Sequence, residues 1–426
     1  MKNPNANHSI YYRATAGEFS ASALDKSIDV DVCIIGGGFA GLATALGLAE
    51  RGQTNVALLE AEQIGFGASG RNGGFVFGGF SLGGAELIKS VGLQHARELY
   101  RGTLDAVETI RQRAKRYQID CDINDSGVLL ANWFDDDKLL REIQSFMADS
   151  FEVDWQWVER DELRQQLKTE RYFGALWEKN AFHFHPLKYA QGCARALQQL
   201  GVQVYENSRV TRIEQTNGRY QVHTSNGMVN AKTLVVSCGG YLNNLVPKFS
   251  RSVMPIATYV MVTEPLGERL QEFVNTGCAI YDTRFAFDYY RPLPDTRLLW
   301  GGRISIQDRA PEQVSHLLRK DIAKVYPQLA DVRIDYAWSG MMSYARHQMP
   351  QIGQAKDGVW YAMGFGGHGV GPTTMAGEVI AKALTGEAEV PWGFGRFGLQ
   401  PTYGYAGRLA AQATYWWLQT KDWWKQ

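Results

Sequence analysis

Hydrophobic and polar positions are arranged in three different ways along the chain. Val30-Asp31-Val32-Cys33-Ile34-Ile35 and Val56-Ala57-Leu58-Leu59 are short, β-branched or aliphatic runs. Runs of that length predict buried strands, and the stretch Leu42 to Arg51 between them reads as a helix. Residues 86–170 are rich in charge and helical in period, as in ARELYRGTLDAVETIRQRAKRY. Residues 253–304 alternate with a period of two in MPIATYVMVTEP, FAFDYYRPLP and RLLWGGRIS, which predicts half-buried strands. Two further helices are predicted over Gln191–Gln199 and Thr373–Leu384.

The first strand runs straight into Gly36-Gly37-Gly38-Phe39-Ala40-Gly41, and the second ends in Glu60. Strand, glycine turn, helix, strand and terminal acid together form a dinucleotide-binding unit. Gly36 permits the tight turn, and Gly38 lets a pyrophosphate approach the helix N-terminus. Gly41 lets helix and strand pack closely. Glu60, nineteen residues after Gly41, is placed to accept hydrogen bonds from ribose hydroxyls. An acid there argues against a 2′-phosphate and so against NADP. NAD and FAD both remain open at this point.

Composition narrows the class further. The 44 basic and 44 acidic residues of the 426 cancel, so there is no basic footprint for nucleic acid. The five cysteines are scattered without metal-ligand spacing, which suits a reduced, cytoplasmic protein and predicts no metal. The N-terminal stretch lacks the apolar region of a signal peptide, and no apolar run approaches membrane-spanning length.

The segment after Glu60 separates the two cofactors. Ala61 leads into GFGASGRNGGFVFGGF, where an NAD enzyme of this type would start its next helix. The loop with Ala68, Ser69, Gly70, Arg71, Asn72, Gly73 and Gly74 resembles the flavin-cradling loop of the D-amino-acid oxidase superfamily. Its ASGRNGG core is similar to the branch containing γ-glutamylputrescine oxidoreductase. His183-Phe184-His185-Pro186-Leu187-Lys188-Tyr189-Ala190 resembles that branch's HPLxYA stretch. The hairpin through Val210 looks like the one that carries a backbone valine to adenine, and Gly239 follows its last strand. Gly366-Gly367-His368-Gly369-Val370-Gly371, opening a helix, is similar to the superfamily's second flavin loop.

The resemblance runs from about Ser9 to the C-terminus and implies an α/β fold of two domains. It implies a discontinuous, Rossmann-like FAD domain (residues 1–85, 175–250 and 338–426) and a mixed-sheet substrate domain (residues 86–174 and 251–337). It further implies an FAD-dependent amine oxidoreductase. Hydride would pass from the carbon beside nitrogen to flavin, and water would hydrolyse the imine. Oxygen or a quinone is the implied acceptor. An apolar pocket would keep the amine neutral, and the helix N-terminus at Gly369–Gly371 would face negative charge at the flavin edge. An amino-acid dehydrogenase feeding quinone is the second reading. A flavoprotein that serves only as an assembly or sensor module is the third.

Strand period places Tyr289 and Arg291 on one face and Tyr290 on the other. Together with Arg303, Arg346 and His183 they are the candidate substrate-pocket residues, although a single arginine is more often part of an ion pair. Arg71 and Asn72 are expected at the flavin or its neighbourhood. His185 is expected to cap a helix, and His368 to matter through its backbone. Sarcosine-oxidase-type relatives place a lysine where Gly371 stands, and another near Leu298-Leu299-Trp300. Their flavin-linking cysteine and histidine also have no match, since Trp338-Ser339-Gly340-Met341-Met342-Ser343 lacks cysteine. Non-covalent FAD is expected, and an N-methyl α-amino acid is disfavoured as substrate. The tryptophan-rich C-terminus is expected to pack on the FAD domain rather than lie on a membrane.

Overall fold

The computed structural model describes residues 10–425, so the ends of the first and last expected segments lie outside the described residues. Its core is two eight-stranded sheets. In the first, the main order is Gln351–Gln354, Trp360–Met363, Met228–Val236, Ser27–Ile35, Val56–Leu59, Gln203–Tyr205. All of these pair in parallel except the first two, which are antiparallel. Register aligns Ile35 with both Leu59 and Val236, so three strands end level beside Gly36. Ligands of open parallel sheets bind beyond such carboxyl ends. The hairpin Arg212–Thr216 and Arg219–His223 extends from Met228–Val236.

Helices Phe39–Ala49, Pro186–Gln199 and Val370–Thr385 share a core with one face of this sheet. Small residues let two of them nearly touch: a Cβ on Gly377 would sit 2.5 Å from that of Ala43. The long helix Leu93–Arg116 is tied to this layer by Arg113, whose Nη2 donates to Glu50 Oε2 at 2.7 Å and also pairs with Glu378.

The second sheet runs Ile334–Tyr344, Met254–Thr263, Leu298–Ser305, Asp288–Pro292, Ala279–Asp282, Val128–Ala131, Ala175–Glu178, Gln156–Val158. One face packs on helix Pro311–Val325 through Val314, Leu318 and Ile322. The other face meets the glycine loops of the first domain. Two strands of this sheet, Ala175–Glu178 and Ile334–Tyr344, lie at or across the expected boundaries at 175 and 338.

The C-terminal helix Gly404–Trp424 sits against the second sheet rather than on the FAD domain. Gln412 accepts the Ile306 N–H at 3.0 Å, and Asp422 accepts that of Ala286 at 3.1 Å. These inward polar anchors, with buried Tyr415, turn the tryptophans outward: Trp416, Trp417, Trp423 and Trp424 are each more than half exposed. Among the described residues no helix is long and apolar enough to cross a membrane.

Candidate active site

At the ends of the parallel strands the backbone leaves no space for side chains. Gly36 has a φ of 113°, and a Cβ there would lie 2.6 Å from the Ser237 carbonyl oxygen. A Cβ on Gly41 would lie 1.9 Å from the Gly36 oxygen, and one on Gly38 would lie 3.0 Å from Ser69 Oγ. Phe39 and Ala40, both buried, open the helix, and the Phe39 N–H donates to Ser69 Oγ at 2.9 Å. Glu60 Oε2 accepts the Gly37 N–H at 2.7 Å, and Oε1 accepts that of Glu62 at 2.9 Å. Burial pushes the Glu60 carboxyl up, opposed by these bonds and by the Ala61 N–H. Val210 is buried in the same core cluster as Leu59, and Gly239 lies opposite Ser343.

The glycine loop is braced from within. The turn Ala68–Gly70 is held by Asn72, which donates to the Ala68 and Ser69 carbonyls (3.1 and 2.9 Å) and accepts the Gly74 N–H (2.8 Å). Arg71 donates to the Phe66 and Ser339 carbonyls (2.9 and 3.3 Å), and its own carbonyl accepts Trp338 Nε1–H. Both side chains thus hold the loop in shape. Gly73 and Gly74 continue as a bare shelf. A Cβ on Gly73 would lie 2.6 Å from the Tyr289 ring, and one on Gly74 would lie 2.3 Å from the Phe184 carbonyl oxygen.

The second sheet contributes Tyr289 and Arg291 from one face. Arg291 is 1% exposed, and its four acceptors are neutral: the carbonyls of Gly73 (2.7 Å) and Phe184 (2.8 Å), the Tyr12 hydroxyl (3.2 Å) and His183 Nδ1 (3.2 Å). His183 Nε2 donates in turn to the Gly277 carbonyl (2.8 Å), which fixes the neutral tautomer. Burial and the nearby guanidinium push its pKa down to about 3. His185 Nδ1 accepts the Lys188 N–H at the start of its helix. Tyr290 points to the opposite core, stacked on Trp300 at 4.3 Å and sharing a hydrogen bond with Tyr326. Arg303 is paired with Asp321 (2.5 and 2.9 Å), and exposed Arg346 lies over the Tyr403 ring. The six candidates therefore do not converge: Tyr289, Arg291 and His183 meet at the shelf, and the other three lie elsewhere.

Four aromatic residues not singled out in the sequence, together with the second glycine loop, complete the enclosure. Phe75 packs on Tyr289 (5.5 Å), and Phe77 stacks on Tyr281 (5.7 Å, 16°). The His368 ring meets Phe77 edge-on at 4.1 Å, and the His368 N–H donates to Ser81 Oγ. Gly366 and Gly367 have no room for a Cβ beside Ser81 and Tyr344, and Gly369 caps the helix that Val370 and Gly371 begin. Phe287, 42% exposed, stands next to Tyr281 and Tyr289.

A parallel sheet with a glycine turn and acid, a bare shelf, and an aromatic wall from a second sheet define a dinucleotide-dependent oxidoreductase. The chain belongs to the DAO family of FAD dependent oxidoreductases, whose match spans residues 31–383. It is 38% identical over 406 residues to the γ-glutamylputrescine oxidoreductase of Escherichia coli, covering 94% of this chain and 93% of that protein. Among solved structures, glycine oxidase from Geobacillus kaustophilus superposes with a TM-score of 0.73 at 20% identity, over 87% of this chain and 98% of that one. L-proline dehydrogenase from P. horikoshii gives 0.72 at 17% identity, over 90% and 100%. The cofactor is FAD, and the glycine turn fits it: the Phe39–Ala49 N-terminus would hold its pyrophosphate, Glu60 its ribose, and the Gly73–Gly74 loop would lie near its flat ring.

Proposed function

We propose that the chain oxidises a primary or secondary amine, of a γ-glutamylputrescine-like or polyamine-like kind, with FAD held without a covalent bond. FAD, when bound, supplies the two-electron acceptor. The observation that carries the substrate reading is the engagement of Arg291 and Arg303 by partners within the protein. Arg291 is held by carbonyls, a tyrosine and a histidine, and Arg303 by Asp321. Neither guanidinium is left to clamp the carboxylate of an α-amino acid. The rings of Phe75 and Tyr289 beside the shelf exclude water and disfavour the ammonium form, so the reacting nitrogen is held neutral. Water then hydrolyses the imine. Anaerobic bleaching of the flavin by a panel of amines and amino acids tests this reading. Reduction by α-amino acids but not by amines would overturn it.

Oxygen is the proposed acceptor, and five unpaired cysteines support a cytoplasmic setting. One observation favours a second reading, in which electrons pass to quinone at an anionic bilayer. Tyr405, Leu409, Trp416, Trp417, Trp423 and Trp424 are exposed along one helix, flanked by Lys421 and Lys425. Tryptophan favours the bilayer interface, and the lysines suit anionic headgroups. Co-sedimentation with phosphatidylglycerol vesicles, lost in Trp416→Ala/Trp423→Ala, together with quinone reduction, would support this second reading. A stable dimer and no vesicle binding would overturn it.

A further inference from the structure

Glu178 ends the strand Ala175–Glu178 on the same sheet face as Tyr281, Tyr289 and Arg291. It pairs with Val128, and Leu130, two residues further along that neighbouring strand, pairs with Tyr281. Glu178 is 7% exposed, and its Oε2 has no hydrogen-bond partner. The Gly78 N–H bonds the carboxyl group, and its charge reaches Tyr100 and Tyr281. On the far side of Gly78, a Cβ on Gly79 would lie 3.3 Å from the Tyr100 ring and 3.9 Å from His368 Nε2. The His368 ring is held by the backbone of Gly78 and Phe77. One unpartnered carboxylate oxygen therefore lies beside Phe77-Gly78-Gly79 inside an aromatic wall.

Among the described residues no cation bears on Glu178. Helix Leu93–Arg116 offers Tyr100, strand Ala279–Asp282 offers Tyr281, and the loop before helix Val370–Thr385 offers His368. Burial pushes both phenols up and the imidazole down to about 4, so all three are neutral at pH 7. Burial, unopposed by any neighbouring cation, pushes the Glu178 carboxyl up to about 7. Buried carboxylates in folded proteins are normally paired, because a lone one is costly to desolvate. Aromatic faces stabilise a cation placed against them.

We propose that Glu178, with Phe77 and Tyr281, forms the subsite that receives the second, non-reacting ammonium of a diamine or polyamine substrate. The assignment rests on the amine reading above. The ammonium completes the hydrogen bonding of Oε2, and its charge favours the ionised carboxylate. Binding therefore drives off the proton that Glu178 carries below about pH 7.

Anaerobic stopped-flow bleaching of the holoenzyme by butane-1,4-diamine and by butylamine separates the Kd from the limiting rate. The wild type is expected to bind the diamine at least tenfold more tightly than butylamine at pH 8, with the preference falling as pH drops below 7. Glu178→Gln is expected to lose diamine affinity by about tenfold or more, as for a charge-assisted hydrogen bond. Its butylamine Kd, FAD content and limiting rate should stay within twofold. An unchanged diamine preference in a folded Glu178→Gln variant overturns the subsite. If that variant fails to fold, a pH-independent preference in the wild type overturns it instead. Bleaching by butylamine without any diamine preference refutes the subsite alone, whereas no bleaching by either amine refutes the amine reading as well.

Discussion

Arg291 Nε donates to the Gly73 carbonyl across 2.7 Å, linking the second sheet to the glycine loop from 218 residues away. The same guanidinium reaches Phe184, Tyr12 and His183, so one side chain fixes the shelf, the helix approach and the N-terminal turn relative to one another. Replacing it with alanine removes four hydrogen bonds from a buried site, at about 1 kcal/mol each. Arg291→Ala is expected to lose roughly 4 kcal/mol of stability and to be purified with depleted FAD. Arg291→Lys, lacking the planar fork, should recover less than half. Urea denaturation and the flavin-to-protein absorbance ratio report both effects.

Gly41 and Gly83 provide a matched pair of substitutions. A Cβ on Gly41 would fall 1.9 Å from the Gly36 carbonyl oxygen, and one on Gly83 meets nothing within 4 Å at an ordinary negative φ. Gly41→Ala must push helix Phe39–Ala49 away from the turn that suits the pyrophosphate. It is expected to weaken FAD retention at least a hundredfold, and Gly83→Ala should leave it unchanged. Flavin fluorescence quenching on reconstitution measures both; equal affinities would contradict the assigned turn.

FAD should be released completely by acid precipitation. Cys238 Sγ, next to the Gly36 turn, donates to the Ile35 carbonyl, and burial pushes its thiol up to about 12. A thiol so far from ionised is a poor nucleophile toward a flavin ring. Yellow colour in the pellet would identify a covalent link.

Stability should respond to pH in opposite senses at two places. His183 and His185 are held near 3 by burial and by Arg291, below their unfolded value of about 6.5. The unfolded chain takes up protons that the native one refuses, so each histidine's contribution is full above about 6.5. It falls by about 1.4 kcal/mol per unit as pH drops toward 3. Glu178 acts the other way. Its native value of about 7 lies above the unfolded carboxyl range, so stability is lost as pH rises from about 4.5 to 7. Relative to wild type, substrate-free Glu178→Gln should therefore be more stable at pH 8 than at pH 5. Chemical denaturation at the two values decides this; a pH-independent difference would show that Glu178 titrates normally.

The dinucleotide unit is legible in the sequence because its determinants are local. Strand, turn and helix follow one another without a break, and each glycine answers a steric demand made within a few residues, as Gly41 does against Gly36. The single strand Asp288–Pro292 likewise declares from its period of two that Tyr289 and Arg291 part company with Tyr290. The FAD assignment follows from such motifs laid out in order.

Local sequence could not decide which charged groups are left without partners. Arg291 and Arg303 look alike along the chain; one is held by carbonyls brought from distant loops and the other by Asp321 on a helix. Glu178 lies in no motif, and its isolation arises only when Gly78, Tyr100 and Tyr281 come together from three elements. The outward tryptophans depend on two polar anchors, Gln412 and Asp422, meeting backbone N–H groups of the second sheet. Short-range sterics and periodicity are written in adjacent residues, and so the sequence by itself determined the cofactor fold. Charge compensation and desolvation depend on neighbours far apart in the chain, and so only the tertiary structure decided which charges are paired and which are left alone.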